Sequence, residues 1–186
     1  MPGEYVDLPI YRDGLAKALR FTPSDLDANR AGRLSPAQRT VLLRNGALRA
    51  GVVVVCLLLA IGSIGFAFAN GTGSKQFFQG LVLAAGLVLA AAALAARALN
   101  LWRDLSGGIV SSVSGMVEPG EKQSQARTSS VLPGQTFWTY AWVVGRERFA
   151  VSPSAYAALT RARHRLYFLP RTRQIVSAEP IAQAQG

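Results

Sequence analysis

The chain of 186 residues carries 20 lysines and arginines against 10 aspartates and glutamates, and its formal net charge is +10. It contains one cysteine and one histidine, which excludes an intramolecular disulfide and a zinc site built from several cysteine and histidine ligands. Two long apolar runs occupy more than a quarter of the sequence, so at most one small soluble domain has enough residues to form a core.

Residues 1–46 are predicted to form a helical N-terminal arm. Thr22 and Pro23 combine a capping side chain with the residue favoured at the first helical position, which predicts a short helix here. Gly32 is expected to end that helix, because glycine readily adopts the left-handed conformation found just after a helix. The start signal is repeated at Ser35-Pro36, which predicts a second helix.

Residues 27–38 resemble the calcium-binding loop of EF-hand proteins. Asp27 and Asn29 stand at the first and third positions of that loop, where ligands are expected. The stretch departs from the pattern at the fifth position, where Ala31 has no ligand atom, and at the twelfth, where Gln38 replaces a bidentate glutamate. With one carboxylate left, the stretch is predicted not to bind calcium.

Residues 47–69 and 77–99 are predicted to be transmembrane helices. Each run is close to the ~20 apolar residues that cross ~30 Å of hydrocarbon. Neither run has the polar stripe expected of a core helix in a soluble protein. Residues 70–76 form the predicted loop between them, and Asn45-Gly46 predicts a bend before the first span.

The positive charges are distributed unevenly around these spans. Eight basic residues stand at or before Arg49, the loop contains only Lys75, and eleven follow from Arg97 onward. Positive residues near helix ends are retained in the cytoplasm. The distribution therefore predicts a multi-pass protein of the cell inner membrane with both termini cytoplasmic.

Small residues recur at helical spacing in both spans, and such faces let helix backbones approach closely. We expect them to pack the hairpin against itself, and they leave homo-oligomerisation open as well. The pairs are Gly62/Phe66, Gly65/Ala69, Gly80/Ala84, Gly86/Ala90 and Ala91/Ala95.

Residues 106–180 are rich in β-branched and aromatic residues separated by turn signals, which predicts a cytoplasmic antiparallel β-domain. Its size suggests a small barrel or sandwich of the OB or SH3-like class with one short helix, so the whole chain is predicted to be an α+β membrane protein. Residues 181–186 are expected to be a disordered tail. The predicted order is β-β-β-β-α-β-β, with strands over 107–118, 122–132, 136–144, 148–152, 164–170 and 173–180, and a turn at Pro119-Gly120.

Five arginines fall within thirteen residues near the C-terminus. They suggest contacts with anionic lipid head groups of the inner leaflet, since each basic residue near such a surface contributes ~1 kcal/mol. A solvated strand face explains the same pattern equally well. The cluster consists of Arg161, Arg163, Arg165, Arg171 and Arg173.

Trp138, Tyr140 and Trp142 alternate along one strand, as they would on a surface that stacks nucleic-acid bases. Alternate aromatics more often form one side of a core, and no nucleic-acid partner is expected. His164 lies among arginines, whose charge would lower its proton affinity. No catalytic constellation, metal site or cofactor is predicted.

The sequence predicts a non-enzymatic adaptor or assembly module that holds an unidentified protein partner at the membrane surface. The alternative is a small accessory subunit of a transporter or of a membrane-bound enzyme complex. A helical hairpin followed by a small barrel resembles the plan of NfeD-type membrane proteins, and this resemblance concerns architecture alone.

Overall fold

The computed structural model describes residues 8–125, 136–158 and 162–181, which form two compact units. The helical unit comprises residues 39–107. The sheet unit is formed by the described residues before Arg39 together with those after Gly107. The elements are α1 (Leu8–Leu19), α2 (Pro23–Arg30), α3 (Pro36–Ala69), α4 (Lys75–Gly107), β1 (Ser111–Gln125), β2 (Thr136–Val144), β3 (Glu147–Ala150), α5 (Pro153–Ala157), β4 (Arg163–Phe168) and β5 (Ile175–Pro180).

The start signals in the N-terminal sequence act as predicted. Thr22 Oγ1 accepts a hydrogen bond from the backbone N–H of Asp25 at 3.3 Å, and the Asp25 carboxylate accepts one from the Thr22 N–H at 2.8 Å. This capping box begins α2. Gly32 follows it with a φ of +72°, and Ser35 Oγ accepts from the Gln38 N–H at the start of α3.

α3 and α4 are both long and apolar enough to cross a membrane. α3 runs for 34 residues, so the helix continues through Asn45-Gly46, where a bend was predicted. A Cβ atom at Gly46 would lie 3.5 Å from the Leu101 side chain, an ordinary van der Waals distance, so Gly46 faces α4 without a close approach that requires glycine. Gly71, with a φ of +81°, provides the predicted reversal between the two helices.

Few of the apolar residues in the two helices are buried. In the most apolar window of each helix, only 11% of the residues of α3 and 17% of those of α4 are buried. Exposure of such a surface to water is unfavourable by a free energy of roughly 25 cal/mol for each Å² of apolar area. The described part of the chain therefore leaves most of these apolar residues uncovered.

Small residues bring α3 and α4 together at only some of the predicted pairs. A Cβ atom on Gly80 would lie 2.8 Å from Ala67 Cβ and 2.9 Å from the Ser63 carbonyl oxygen. Ala84 and Ala91 are also buried, so one face of α4 packs as expected. Gly62, Gly65 and Gly86 are exposed, and a Cβ atom on any of them would meet no atom within 4 Å, so their expected packing within the hairpin is wrong.

The five strands form one antiparallel sheet in the order β3-β2-β1-β4-β5. β1 pairs with β4 over Ser111–Met116 and with β2 over Val117–Gln125. Pro119-Gly120 lies inside this strand, so the predicted turn is wrong and two of the predicted strands merge into one. The rest of the second predicted strand, from residue 126 to 132, lies outside the described residues.

Among the strand pairs that the structure describes, β3 and β5 are the two edges of the sheet. A mixed α+β fold with an antiparallel sheet is confirmed, and the described residues form five strands where six were predicted. The short helix α5 follows β3 as predicted, beginning at Pro153 with Ser152 as its cap.

The core of the sheet unit includes the N-terminal arm. Leu15 of α1 is 1% exposed and belongs to the same buried cluster as Trp142, Phe149 and Leu166. α1 and α2 both contact β5. Residues 1–46 were predicted to be an arm separate from the β-domain, and this is corrected: its described part up to Gln38 completes the sheet unit.

Candidate functional site

Two members of the arginine cluster, Arg165 and Arg173, form ion pairs within the sheet unit. Arg165 Nε donates to Ser114 Oγ at 3.1 Å, and its Nη1 lies 3.9 Å from Glu179 Oε1. Arg173 Nη1 lies 2.5 Å from Glu147 Oε2, and its guanidinium carbon is 5.5 Å from the centre of the Phe168 ring. These arginines therefore have structural roles.

The other members of the cluster differ from these two. Arg163 is exposed, and within the described ranges it forms no ion pair. Arg171 is exposed in the turn before β5. Arg161 lies outside the described residues. The role of this cluster in lipid contact stays a prediction.

A buried polar junction joins the N-terminal segment to β5. Asn29 Nδ2 donates to Ser177 Oγ at 2.7 Å, and both residues are almost fully buried. Gln38 Nε2 donates to the Val176 carbonyl oxygen at 2.9 Å. These contacts span 148 and 138 residues of sequence, and each satisfies a buried polar group.

The ionic part of this junction is centred on Glu179. Arg30 Nε donates to Glu179 Oε2 at 3.0 Å, and Tyr167 Oη donates to Oε1 at 2.7 Å. Burial raises the pKa of Glu179, but the hydrogen bonds from Arg30 and Tyr167 outweigh it and hold the pKa below its ordinary value. Glu179 therefore stays ionised and binds α2 to the sheet.

The EF-hand-like stretch belongs to the same junction. Its potential ligands have three different partners: Asp27 pairs with Arg30, Asn29 with Ser177, and Ser35 donates to the carboxylate of Asp25. Burial raises the pKa of Asp25, and the hydrogen bonds from Ser35 and Thr22 lower it below its ordinary value. The segment has a structural role that the loop resemblance did not indicate.

The aromatic and histidine side chains singled out in the sequence belong largely to the interior. Trp142 is fully buried, and Tyr140 packs on Tyr156 with ring centroids 4.9 Å apart, while the side chain of Trp138 lies outside the description. His164 is buried, and its Nδ1 donates to the Ala162 carbonyl oxygen at 2.8 Å. Burial lowers the pKa of His164, which corrects the predicted cause, the neighbouring arginines.

Across residues 8–125, 136–158 and 162–181, no three histidine, cysteine, aspartate or glutamate side chains are grouped so that they could hold a metal ion. Each unit has at least one groove of the size expected of a binding surface.

The first groove lies in the sheet unit, between β1 and the turn that joins β2 to β3. Its volume is about 500 Å³, and Met116, Glu118 and Arg146 line it. Met116 is 47% exposed. Exposed methionines suit protein-binding surfaces because the unbranched side chain adapts to different partners. Nothing in the sequence pattern indicates this groove, since Gly115 and Met116 resemble ordinary strand residues.

The second groove lies in the helical unit, along one side of the hairpin near Arg49 and Arg97. Its volume is about 580 Å³, and its lining is apolar. Trp102, at one edge, is 62% exposed. The lining includes Leu43, Ala47 and Val54 of α3 and Ala98, Leu99 and Trp102 of α4.

Comparisons with protein-family models, with curated proteins and with solved structures find no match to this chain.

Proposed function

We propose that this protein is a non-enzymatic membrane-anchored adaptor, in which the helical unit crosses the inner membrane twice and the sheet unit binds a protein partner in the cytoplasm. The observation that carries the proposal is the contrast between the units. The sheet unit has its own core, whereas α3 and α4 leave most of their apolar side chains exposed. Lipid provides the apolar surroundings that these helices need.

The lengths of the helices support two membrane crossings. At 1.5 Å per residue, the uncharged stretch from Ala50 to Ala69 spans about 30 Å, which is the thickness of the hydrocarbon core. The loop end of the hairpin contains only Lys75, while the other end carries Arg39, Arg44 and Arg49 on α3. This asymmetry supports a cytoplasmic sheet unit and an external loop.

The orientation is tested with reporter fusions placed after Arg103 and at the C-terminus of the full chain. Reporters that are active only in the cytoplasm should work at both positions, and a reporter in the loop after Gly71 should work only in the periplasm. A periplasmic signal from either of the first two fusions would contradict the orientation. Extraction by alkaline carbonate would contradict membrane insertion itself.

The adaptor role is tested at the groove beside Met116. A photo-crosslinking residue at position 116 should capture a protein partner in cells, because this position combines exposure with an adjacent groove. The matched control is the same residue at Ser154, which is exposed at the start of α5. Equal capture from both positions would contradict a docking role for the groove.

The alternative, an accessory subunit of a transporter or membrane enzyme, requires contacts made by the spans themselves. It is supported by the exposed small residues Gly62, Gly65 and Gly86, which suit close helix packing. Replacing α3 and α4 with an unrelated two-span hairpin separates the two roles. An adaptor keeps its crosslink from position 116, and an accessory subunit loses its association with the complex.

A further inference from the structure

We propose that the groove of the helical unit binds one anionic phospholipid, with an acyl chain along the apolar lining and the phosphate on arginines at its rim. This inference rests on the proposed membrane insertion. The lining offers an acyl chain apolar contacts from both helices, including Val54 and Leu99. Small side chains at Ala47 and Ala98 leave the space that the chain would fill.

The charge around the groove selects the head group. Five arginines flank it in sequence, all of them exposed, and in the described part of the structure none of them has a carboxylate partner. The only acidic residue of the helical unit is Asp104, which is buried. The five arginines are Arg39, Arg44, Arg49, Arg97 and Arg103.

The placement of these arginines fits a phosphate at the membrane surface. Arg39 lies one helical turn before Leu43 and therefore on the groove face of α3. Arg103 follows Trp102, whose ring suits the boundary between hydrocarbon and head groups. Guanidinium groups bind phosphate through paired hydrogen bonds, which lysine at the same position cannot reproduce.

These charges also distinguish this groove from the C-terminal arginine cluster. Arg165 and Arg173 already pair with Glu179 and Glu147, so a phosphate would have to compete with a carboxylate. At the groove, no described carboxylate pairs with the five arginines and would compete with a lipid phosphate for them. Anionic lipid is therefore expected at the helical unit in preference to the sheet.

The test uses the full chain purified in a mild detergent and titrated with phosphatidylglycerol or phosphatidylcholine. Native mass spectrometry reads the number of lipids bound to each chain. We expect one phosphatidylglycerol per chain, bound about tenfold or more tightly than phosphatidylcholine, since each arginine near an anionic surface changes affinity by about fivefold. Equal binding of the two lipids would overturn the proposal.

Two pairs of variants locate the site. Ala47→Phe with Ala98→Phe fills the groove and should abolish the bound phosphatidylglycerol, whereas Ala85→Phe with Ala93→Phe adds the same bulk on exposed positions outside the groove and should not. Unchanged lipid binding in the filled variant would overturn the proposal. A two-chain mass that is lost on filling would show that a second copy occupies the groove, and would also overturn it.

A further pair of variants tests the arginine charges without altering the groove. This test remains informative if the variant with the filled groove fails to fold. The double variant Arg97→Gln with Arg103→Gln should weaken the binding of phosphatidylglycerol at least tenfold and leave the binding of phosphatidylcholine unchanged. Lys75→Gln, at the other end of the hairpin, should change neither. Equal loss of both lipids would overturn the role of the arginines. Carbonate extraction of membranes from cells that express the same variants distinguishes a failed lipid site from failed membrane insertion.

Discussion

Arg30 donates two hydrogen bonds, from Nε and Nη2, to a single carboxylate oxygen of Glu179, which lies 149 residues further along the chain. The pair joins a helix before the hairpin to the last described strand after it. Its strength is moderated by water, because the side chain of Arg30 is 44% exposed, while that of Glu179 is 10% exposed. The contact is therefore stabilising without being a fully buried ion pair.

Replacement of Glu179 with glutamine should lower the free energy of unfolding by about 1–2 kcal/mol, because a charge-assisted bond is lost and the Arg30 charge remains partly buried. Chemical unfolding followed by tryptophan fluorescence measures this change. Glu118→Gln, on an exposed carboxylate of β1, is the control and should stay within about 0.5 kcal/mol. Equal effects would show that the ionic contact does not stabilise the sheet unit.

Acid should destabilise the sheet unit in two stages. Burial lowers the pKa of His164 below its ordinary value of 6.5. As the pH falls, His164 is therefore protonated in the unfolded chain before it is protonated in the folded one, and the free energy of unfolding begins to fall below about pH 6.5. The lowered pKa of Glu179 adds stability that is present above its ordinary value of 4.5 and is lost as pH falls through the lower folded value. Unfolding measured from pH 8 to pH 3 should show both stages. Glu179→Gln should remove part of the second stage only.

Gly80→Leu should loosen the helical unit. Its Cβ would lie within 3 Å of both Ala67 Cβ and the Ser63 carbonyl oxygen, so α3 and α4 must separate. We expect a loss of about 1–3 kcal/mol, which is typical of overpacking. Gly86→Leu is the matched control, because Gly86 lies in the same helix with no neighbouring atom within 4 Å of the added Cβ. The free energy of unfolding of both variants is measured in mixed micelles. A larger decrease for Gly86→Leu than for Gly80→Leu would contradict the packing described.

The sheet unit should fold when residues 39–107 are replaced by a short glycine-serine linker. The ends to be joined are close, since the Leu34 N–H donates to the Gly108 carbonyl oxygen at 3.1 Å and the Val110 N–H to that of Gly32 at 3.0 Å. Residues 106–186 alone should not fold, because they lack Leu15 and the α1 contacts with β5. Circular dichroism and dispersed amide resonances distinguish folded from unfolded chains. A folded 106–186 fragment would refute the shared core.

Local signals in the sequence predicted the local structure well. The capping residues Thr22 and Ser35 begin helices, and the aromatic run of residues 136–144 forms β2 with the predicted bounds. The prediction of a turn at Pro119-Gly120 failed because this pair lies within β1, which changes its partner strand from β4 to β2 a few residues earlier. Proline fits a strand where its missing N–H faces no partner.

Contacts between distant segments could not be predicted in the same way. Nothing in the sequence near Asn29 indicates that its amide reaches Ser177, and the arginine spacing gives no sign that Glu147 and Glu179 neutralise Arg173 and Arg165. These pairings depend on sheet topology, which periodicity does not specify. The grooves were missed for the same reason, because each is formed by two separate stretches of chain.

The division of the sheet unit between two ends of the chain has a consequence for biosynthesis. The Gln38 side chain bonds to the Val176 carbonyl oxygen, 138 residues later. At roughly 5–20 residues per second, the ribosome needs about 7–28 seconds to make that distance. Both helices of the hairpin are complete before the first strand is translated, so the nascent chain carries α1 and α2 without their partners through this interval. Synthesis of the hairpin therefore precedes the folding of the domain that encloses it in sequence.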